Sequence, residues 1–180
     1  MIGVLVSGEG TNLQALLDAD LPVVAVASNV EGARALRRAE DAGTPTAVFP
    51  LERYASRDER DGAMADWLED HGVELVVCAG YMHLLRPSFL ARFPGRVVNV
   101  HPAPLPAFPG AHPLEDLLEA GASAAAATVH FVDGGIDSGE VIATEPVPVL
   151  EGDTVETLRE RVHEAEHRLL PRVVRELCAR

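Results

Sequence analysis

Apolar runs of strand length alternate with amphipathic stretches of helix length through the first hundred residues of the chain. The apolar runs are rich in Val, Ile, Leu and Ala, and they occupy residues 2–6, 22–27, 46–49, 74–79 and 96–100. Helical patterns separate the first four of these runs, at residues 12–19, 33–42 and 57–71. Strands that alternate with helices pair in parallel through right-handed crossovers. The sequence therefore predicts an α/β fold with a doubly wound, mostly parallel sheet.

The pattern changes after residue 100. Five prolines lie between residues 101 and 113, and neither a helix nor a central strand is expected there, because proline lacks the backbone donor. Beyond them the pattern predicts one short helix and two strands, over residues 113–120, 128–132 and 141–149. Pro146 and Pro148 indicate that the last strand lies at an edge of the sheet.

The remaining segments are predicted to be a loop and a long helix. The alanine-rich stretch 122–127 is interpreted as a flexible surface loop. Apolar residues recur at three- and four-residue steps over 154–179, which predicts a C-terminal helix with one face packed on the sheet. Asp153 or Thr154 is expected to cap this helix, and Pro171 is expected to kink it.

Composition narrows the classes of function. The length of 180 residues suits a single domain, and a content of 47% apolar and 24% charged residues excludes a disordered chain. The net charge of −13 disfavours a nucleic-acid partner, because neutralising phosphates takes clustered basic residues. All 15 basic residues are Arg, so Schiff-base and P-loop lysines are both excluded.

The cysteines and the lengths of the apolar runs indicate the cellular compartment in which the protein is expected. Cys78 lies within an apolar run and is expected to be a buried thiol. The chain has only one other cysteine, Cys178, and two cysteines are too few for a disulfide framework and form no zinc-binding pattern. The N-terminus is interpreted as a strand rather than a signal peptide, and no run approaches the roughly 20 residues of a membrane span. We therefore expect a soluble cytoplasmic protein with no metal and no membrane partner.

A glycine-rich turn, Ser-Gly-Glu-Gly-Thr-Asn at residues 7–12, joins the first strand to the first helix. Glycines allow close approach of the backbone, and free amides at a helix N-terminus attract anions, so this turn suits a phosphate. It matches neither the dinucleotide-binding fingerprint nor a P-loop. An equally tenable interpretation is a tight turn with Thr11 or Asn12 as the helix cap.

Asn99 and His101 stand at the end of a predicted buried strand, two residues apart, and therefore point to the same face. Ligands of doubly wound sheets bind at the carboxyl ends of the strands. An amide donor beside an imidazole suits transfer of a group that passes through an oxyanion. The alternative is a structural histidine in a loop.

The glycine-rich loop at residues 132–139 is a further candidate for ligand binding. Gly134, Gly135 and Gly139 make the loop 132–139 able to wrap a flat ligand, although a plain turn with solvated aspartates fits equally.

On the long helix, His163 and Glu166 are three residues apart and share a face. Glu166 adjoins the apolar stripe of this helix, so its carboxylate either reaches solvent at the border of the core or faces a cleft.

Taken together, these segments resemble one family. In chain order they are SGEGTNLQ at 7–14, SN at 28–29, AGYM at 79–82, NVHP at 99–102, LP at 105–106, FPG at 108–110, TVHFV at 128–132 and IDSG at 136–139. The chain resembles the folate-dependent phosphoribosylglycinamide formyltransferases from residue 2 to about residue 174. The Asn-x-His-Pro and Asp-x-Gly motifs are shared by the wider formyltransferase superfamily, and the first turn and Phe-Pro-Gly narrow the resemblance to this branch.

The resemblance implies transfer of a formyl group from N10-formyltetrahydrofolate to the amine of glycinamide ribonucleotide in purine biosynthesis, through a tetrahedral intermediate. Asn99 would donate to the oxyanion, and His101 would act as general acid. Asp137 would sit beside His101, favour its protonated form and relay protons. No metal is implied. The domain would divide into a nucleotide-binding half, 1–100, and a folate-binding and catalytic half, 101–180.

The resemblance also implies binding residues. The substrate would contact Gly10, Thr11, Asn12, His163 and Glu166, with the phosphate on the turn and the ribose hydroxyls near Glu166. The formyl-folate would contact Arg57, Met82, His83, Leu84, Leu85, Asn99, Asp133, Gly134, Gly135, Ile136 and Asp137. We expect the protein to act as a monomer or homodimer on these small molecules.

The chain departs from the family pattern at four positions. The family usually has Arg where this chain has His83, often Lys where it has Ala107, and a second His where it has Leu114. Several relatives carry Gln or Lys in place of His163. Phosphate affinity is therefore expected to rise as the pH falls and His163 becomes charged.

Three rival functions remain at this stage. A methionyl-tRNA formyltransferase should have a basic face and a further C-terminal domain, and a formyltetrahydrofolate hydrolase should have an N-terminal regulatory domain. A non-catalytic nucleotide-binding module would need only the glycine-rich turn.

Overall fold

Residues 1–179, the part of the chain described by the computed structural model, fold around one seven-stranded sheet. The strands are β1 (Ile2–Val6), β2 (Val23–Ser28), β3 (Thr46–Val48), β4 (Leu75–Cys78), β5 (Val97–His101), β6 (Ala124–Phe131) and β7 (Val141–Pro148). The helices are α1 (Thr11–Asp18), α2 (Arg34–Asp41), α3 (Arg57–Asp70), α4 (Pro87–Leu90), α5 (Pro113–Glu119) and α6 (Val155–Cys178). A 3₁₀ turn occupies Leu51–Arg53.

The strand order is β3-β2-β1-β4-β5-β6-β7. Strands β1 to β5 pair in parallel, whereas β6 and β7 extend the sheet in antiparallel pairs. The chain winds outwards in one direction from β1 and in the other from β4, so the carboxyl ends of these two strands border a crevice. The predicted doubly wound, mostly parallel fold is confirmed.

Apolar side chains cover both faces of the sheet. Leucines and alanines of α1, α2, α5 and α6 pack on one face in one cluster of buried residues. Met64 and Leu68 of α3 pack on the other, together with Phe89 and Phe93 around α4. Cys78 belongs to the second cluster, and burial raises the pKa of its thiol to about 12. The prediction of a buried thiol is confirmed.

The prediction of a flexible loop over the alanine-rich stretch 122–127 is wrong. Ala124 begins β6, which lies inside the sheet between β5 and β7. Ala125 and Ala127 are buried in the cluster that includes α6. Pairing on both sides and packing under a helix therefore override the low strand preference of alanine, and the small side chains let the helix lie close to the sheet.

The last strand and the last helix, β7 and α6, are as predicted at the edge of the sheet and at the helix cap. Strand β7 contains Pro146 and Pro148 and lies at the edge of the sheet, as predicted. Helix α6 is capped by Thr154, whose hydroxyl accepts from the Thr157 amide while the Thr157 hydroxyl accepts from the Thr154 amide. The helix continues through Pro171, and the kink there stays a prediction. None of the helices within residues 1–179 is long and apolar enough to span a membrane.

Candidate active site

A cavity of about 420 Å³ opens at the carboxyl-end side of β4 and β5. Its floor and walls come from the start of α1, the segment after β4, the end of β5, the proline-rich loop, the loop before β7, and α6. The side chains of chemical interest that line it are those of Asn12, Met82, His83, Leu84, Asn99, His101, Ile136, Asp137, His163 and Glu166. The motifs or the family resemblance predicted each of these ten as a site residue, whereas Tyr81, which also lines the cavity, was not predicted.

One wall of this cavity brings together the three predicted catalytic side chains. Nδ1 of His101 lies 3.5 Å from Oδ2 of Asp137, and Nδ2 of Asn99 lies 3.5 Å from Oδ1 of the same carboxylate. Asn99 and His101 point to the same side of β5, as their spacing predicted. Asp137 arrives from a loop 36 residues farther along, so only the fold unites the group.

Both ring nitrogens of His101 lie near acceptors. Nε2 lies 2.8 Å from the carbonyl oxygen of Phe108, in the proline-rich loop, and Nδ1 faces Asp137. An imidazolium can donate to both acceptors at once, whereas the neutral ring carries only one proton. The arrangement therefore accommodates a ring that gains and loses a proton, as a general acid must.

Asp137 is held in an uncommon backbone conformation. Its φ of 49° falls in the left-handed region, which for a residue other than glycine indicates local strain of the kind found at functional sites. Oδ2 accepts a hydrogen bond of 2.9 Å from the amide of Gly110. Partial burial opposes ionisation, but hydrogen bonding from His130 and Gly110 and the proximity of His101 outweigh it, so the pKa of Asp137 is lowered.

His130 belongs to this group although it is not among the site residues predicted from the sequence. Nε2 of His130 lies 3.1 Å from Nδ2 of Asn99 and 3.5 Å from Oδ1 of Asp137. The residue is buried on β6, directly across the antiparallel pair from Asn99. His130 lies in the motif at 128–132 on which the family resemblance rests, and this is the one sign of a role that the sequence contains. The strand register that pairs His130 with Asn99 cannot be read from the sequence.

The opposite wall is formed by α6 and the start of α1. Glu166 is 3% exposed, and its Oε2 accepts a hydrogen bond of 2.9 Å from Nδ2 of Asn12. Nε2 of His163 lies 4.0 Å from the same oxygen. Burial raises the pKa of Glu166 to about 7, and the hydrogen bond from Asn12 only partly opposes this shift. Of the two alternatives for Glu166, the structure supports the cleft-facing carboxyl.

His163 is less buried than Glu166 and also lines the cavity. Burial, the neighbouring His167 and Arg159 lower the pKa of His163. The rings of His163 and His167 stack with their centroids 6.2 Å apart. A positive charge on His163 therefore requires a lower pH than for an exposed histidine.

The glycine-rich turn ends in an uncapped helix. Gly10 is the N-cap residue of α1, with φ of 72°, and no side chain within residues 1–179 accepts from the first amides. The alternative of Thr11 or Asn12 as the cap is therefore wrong. A Cβ on Gly10 would lie 2.5 Å from Cβ of Ala35, which explains the need for glycine where the turn passes α2. Thr11 lies in an adjoining groove rather than in the main cavity.

Of the residues predicted to contact folate, most line the main cavity or a smaller one beside it, and Arg57, Asp133 and Gly134 line neither. Met82, His83, Leu84 and Ile136 line the main cavity, and Leu85 and Gly135 line a small adjoining one of about 80 Å³. Asp133 accepts from the Gly135 amide and the Ser138 hydroxyl, and these bonds lower its pKa and shape its loop.

Gly134 belongs to the same loop, with φ of 95°. Arg57 is exposed at the first residue of α3 and lines neither of these cavities. Within residues 1–179 no group of three or more His, Cys, Asp or Glu side chains is arranged to hold a metal ion.

The sequence and the fold both match known formyl transferases. Residues 1–174 match the formyl transferase family. The chain is 47% identical to phosphoribosylglycinamide formyltransferase of Mycobacterium tuberculosis, over 97% of this chain and 83% of that protein. Glycinamide ribonucleotide transformylase 1 from Symbiobacterium toebii has the same fold, with a TM-score of 0.95, 47% identity, and coverage of 97% of this chain and 85% of that one.

The chain also resembles one part of larger proteins. It is 46% identical, over 94% of its length, to the trifunctional purine biosynthetic protein adenosine-3 of Gallus gallus, of which it spans 18%. The match to the shorter relatives covers most of both chains. This chain belongs to the phosphoribosylglycinamide formyltransferase family.

Proposed function

We propose that the protein transfers a formyl group from N10-formyltetrahydrofolate to the amine of glycinamide ribonucleotide, a step of purine biosynthesis. The observation that carries this proposal is the convergence of Asn99, His101 and Asp137 on one wall of a cavity. The opposite wall of that cavity is polar and lies beside an uncapped helix N-terminus. An amide, an imidazole and a carboxylate in contact meet the needs of acyl transfer, in which a carbonyl oxygen gains negative charge.

Asn99 and His101 act on that developing charge. The Nδ2 group of Asn99 donates to the carbonyl oxygen, and protonated His101 stabilises the same charge. Nε2 of His101 gives up its contact with the Phe108 carbonyl oxygen and passes its proton to N10 of the folate as the bond from N10 to the formyl carbon breaks, while the attacking amine releases a proton to water. Loss of one donor of this kind commonly lowers the rate by about 10²–10³. Asp137 stays ionised, because its pKa is lowered, and holds the ring of His101 through Nδ1.

The helix wall binds the acceptor substrate. Phosphate attaches at the start of α1, where Gly10, Thr11 and Asn12 precede uncapped amides and the positive end of the helix dipole. Oδ1 of Asn12 is buried and has no hydrogen-bond partner within residues 1–179, so it offers an acceptor to a substrate hydroxyl. Glu166 binds the ribose hydroxyls, and His163 adds charge at the phosphate when protonated.

The apolar mouth of the cavity fits the folate ring system. Met82, Leu84 and Ile136 are large apolar side chains that remain 68%, 45% and 57% exposed around it. A flat aromatic ligand would cover this surface.

The other predicted folate contacts extend the same site. Leu85 and Gly135 would hold the ligand in the small adjoining cavity, the loop that contains Asp133 and Gly134 would close over it, and Arg57 would reach its carboxylate tail. When bound, the formyl-folate supplies the group that is transferred.

The proposal includes a division of labour and a cellular setting. Residues 1–100 serve mainly the nucleotide, and residues 101–180 serve the folate and the chemistry, although Glu166 joins the two halves through Asn12. We also propose that the protein works in the cytoplasm as a monomer or homodimer, with small molecules as its partners. Sedimentation analysis tests the oligomeric state.

A purified-enzyme assay tests the proposal. Transfer from formyltetrahydrofolate to glycinamide ribonucleotide is measured with methionyl-tRNA and water as competing acceptors. We expect activity with the ribonucleotide and a loss of about 10²–10⁴ in kcat for His101→Ala. His71→Ala, which removes an imidazole that lies at a tilt against Trp67 outside the cavity, serves as the matched control.

Each result of this assay has a definite meaning. Preference for water or tRNA would replace the proposed acceptor with that of a rival formyl-folate enzyme. Nucleotide binding without transfer would favour a binding module. Full activity of His101→Ala would remove the proposed acid.

A further inference from the structure

A buried ion pair on α3 lies beneath the segment that follows β4. The side chains of Arg60 and Asp61 are fully buried, and Nε of Arg60 donates to Oδ1 of Asp61 at 2.6 Å. Burying two charges is costly unless further hydrogen bonds satisfy them, so the partners of this pair matter. The groups that bond to Arg60 and Asp61 lie outside α3, in the segment 81–86, part of which lines the cavity.

The pair holds this segment at two points. Nη1 of Arg60 lies 3.0 Å from Nδ1 of His83, and Oδ2 of Asp61 accepts a hydrogen bond of 2.8 Å from the amide of Arg86. The guanidinium also lies 6.0 Å from the centre of the Tyr81 ring. Adjacent residues of one helix therefore fix both the imidazole and the backbone of residues 81–86.

This contact determines where the proton of His83 resides. A guanidinium is always a donor, so Nδ1 of His83 must accept and must be unprotonated. Nδ2 of Asn29 lies 3.5 Å from the same nitrogen, which also favours an acceptor there. The neutral ring consequently carries its proton on Nε2. Within residues 1–179 this Nε2 makes no hydrogen bond, while the ring lines the cavity.

We propose that Arg60 is a positioning residue that acts through His83: it fixes the proton on Nε2 and aims this N–H group at an acceptor oxygen of the bound formyl-folate. His83 is then the residue that contacts the ligand, and Arg60 sets its tautomer without contact of its own. This inference rests on the proposed function for the identity of the ligand. The tautomer itself follows from the contact with Arg60.

The charged and titratable groups around His83 support a neutral ring. Burial, Arg60 and Arg57 lower the pKa of His83, and Asp61 opposes them more weakly. Tyr81 meets the ring edge-on, with the centroids 6.1 Å apart, and Asn29 completes the surroundings. His83 should therefore remain an uncharged donor through the neutral pH range.

The first test reads the tautomer directly and needs no turnover. Nitrogen-15 NMR of the wild-type protein should show the His83 proton on Nε2 between pH 6 and pH 8. Arg60→Gln alone leaves Asp61 buried without its partner and risks misfolding, so the double variant R60Q/D61N is used as well. The preference for Nε2 should weaken in the double variant, where Asn29 alone still faces Nδ1. A proton on Nδ1 in the wild type would overturn the inference.

The second test separates binding from chemistry. His83→Asn retains an acceptor near the Nδ1 position but has no donor in place of Nε2–H. We expect its KM for formyl-folate, and its Kd measured calorimetrically without the ribonucleotide, to rise about 2- to 12-fold, the loss of one hydrogen bond. Its kcat and its KM for the ribonucleotide should change little. Added to R60Q/D61N, the same substitution should raise KM and Kd by a clearly smaller factor than it does in the wild type.

The outcomes distinguish this inference from the proposed function. An active wild-type enzyme whose affinity for formyl-folate is unaffected by His83→Asn, or additive effects of the two sets of substitutions, would contradict only the role given to Arg60 and His83. A wild-type protein that neither binds nor uses formyl-folate would contradict both.

Discussion

The two carboxyl groups that face each other across the cavity are held in opposite ways. Asp137 sits in a strained loop, partly open to solvent, where an amide and two imidazoles surround it. Glu166 sits on a helix, almost fully buried, with one amide donor from Asn12. The first environment lowers the pKa of the carboxyl group and the second raises it to about 7.

This difference indicates a division of chemical roles. Two titratable groups with pKa values pushed apart by their surroundings can serve different purposes at one pH. Asp137 keeps its charge through the neutral range and can hold a protonated histidine. Glu166 changes its charge within that range, so the carboxyl group of the helix wall responds to pH while the carboxyl group of the loop wall does not. Three substitutions test this contrast.

The largest effect is expected at the loop wall. Asp137→Asn removes the negative charge but keeps the shape, and it should lower kcat by about 10²–10³ because the protonated ring of His101 loses its partner. Steady-state kinetics at pH 7.5 measures the change. Glu140→Gln, an exposed carboxylate three residues away, should retain wild-type rates. A rate loss of less than about threefold for Asp137→Asn would show that its charge is not needed.

The next effect concerns stability at the helix wall. Because the folded-state pKa of Glu166 lies near 7, above the ordinary 4.5, the folded protein binds this proton more tightly than the unfolded chain. The contribution is complete below about pH 4.5 and is lost as the pH rises through 7. Glu166→Gln lacks this proton, so the unfolding free energy of the variant relative to wild type should increase by roughly 2–3 kcal/mol from pH 5 to pH 8.

Urea denaturation at the two pH values measures this difference. Glu160→Gln, an exposed carboxylate on the same helix, is the control and should show almost no such change. Parallel stability curves for wild type and Glu166→Gln would mean that Glu166 is already ionised in the folded protein at pH 5.

The smallest effect is expected at His163. Burial, His167 and Arg159 lower its pKa, so the imidazolium forms at a lower pH than in an ordinary histidine, and KM for the ribonucleotide should fall about threefold or more between pH 7.5 and pH 5.5. His163→Gln should remove this part of the dependence, because an amide carries no charge at either pH. Equal pH dependence in the two proteins would assign the effect to Glu166 instead.

The sequence predicted the parallel part of the sheet better than the antiparallel part. Strands β1, β4 and β5 each form a short apolar run between turn signals, and such a pattern is visible locally. Strand β6 begins with four alanines, whose strand conformation depends on the strands at both sides and the helix above. The four-residue helix α4 also passed unnoticed, because one turn carries almost no periodicity.

The site residues show the same limit. Asn99 and His101 could be paired from their spacing along one strand, and His163 and Glu166 from their spacing along one helix. His130 could not be placed beside Asn99, because the register of two distant strands decides that contact. The contact between Arg60 and His83 likewise depends on how α3 packs below the segment after β4.

The alanines of β6 have a consequence for the dimensions of the site. Helix α6 carries His163 and Glu166 and packs in one cluster with Ala125 and Ala127, so the thickness of this alanine layer sets the distance between the proposed ribonucleotide side and the proposed formyl side of the cavity. A larger residue at either position would lift the helix, at a cost of about 1–3 kcal/mol, and widen the gap that the two reactants must bridge. The methyl groups of two alanines that line neither cavity would thus set the distance over which the formyl group is transferred.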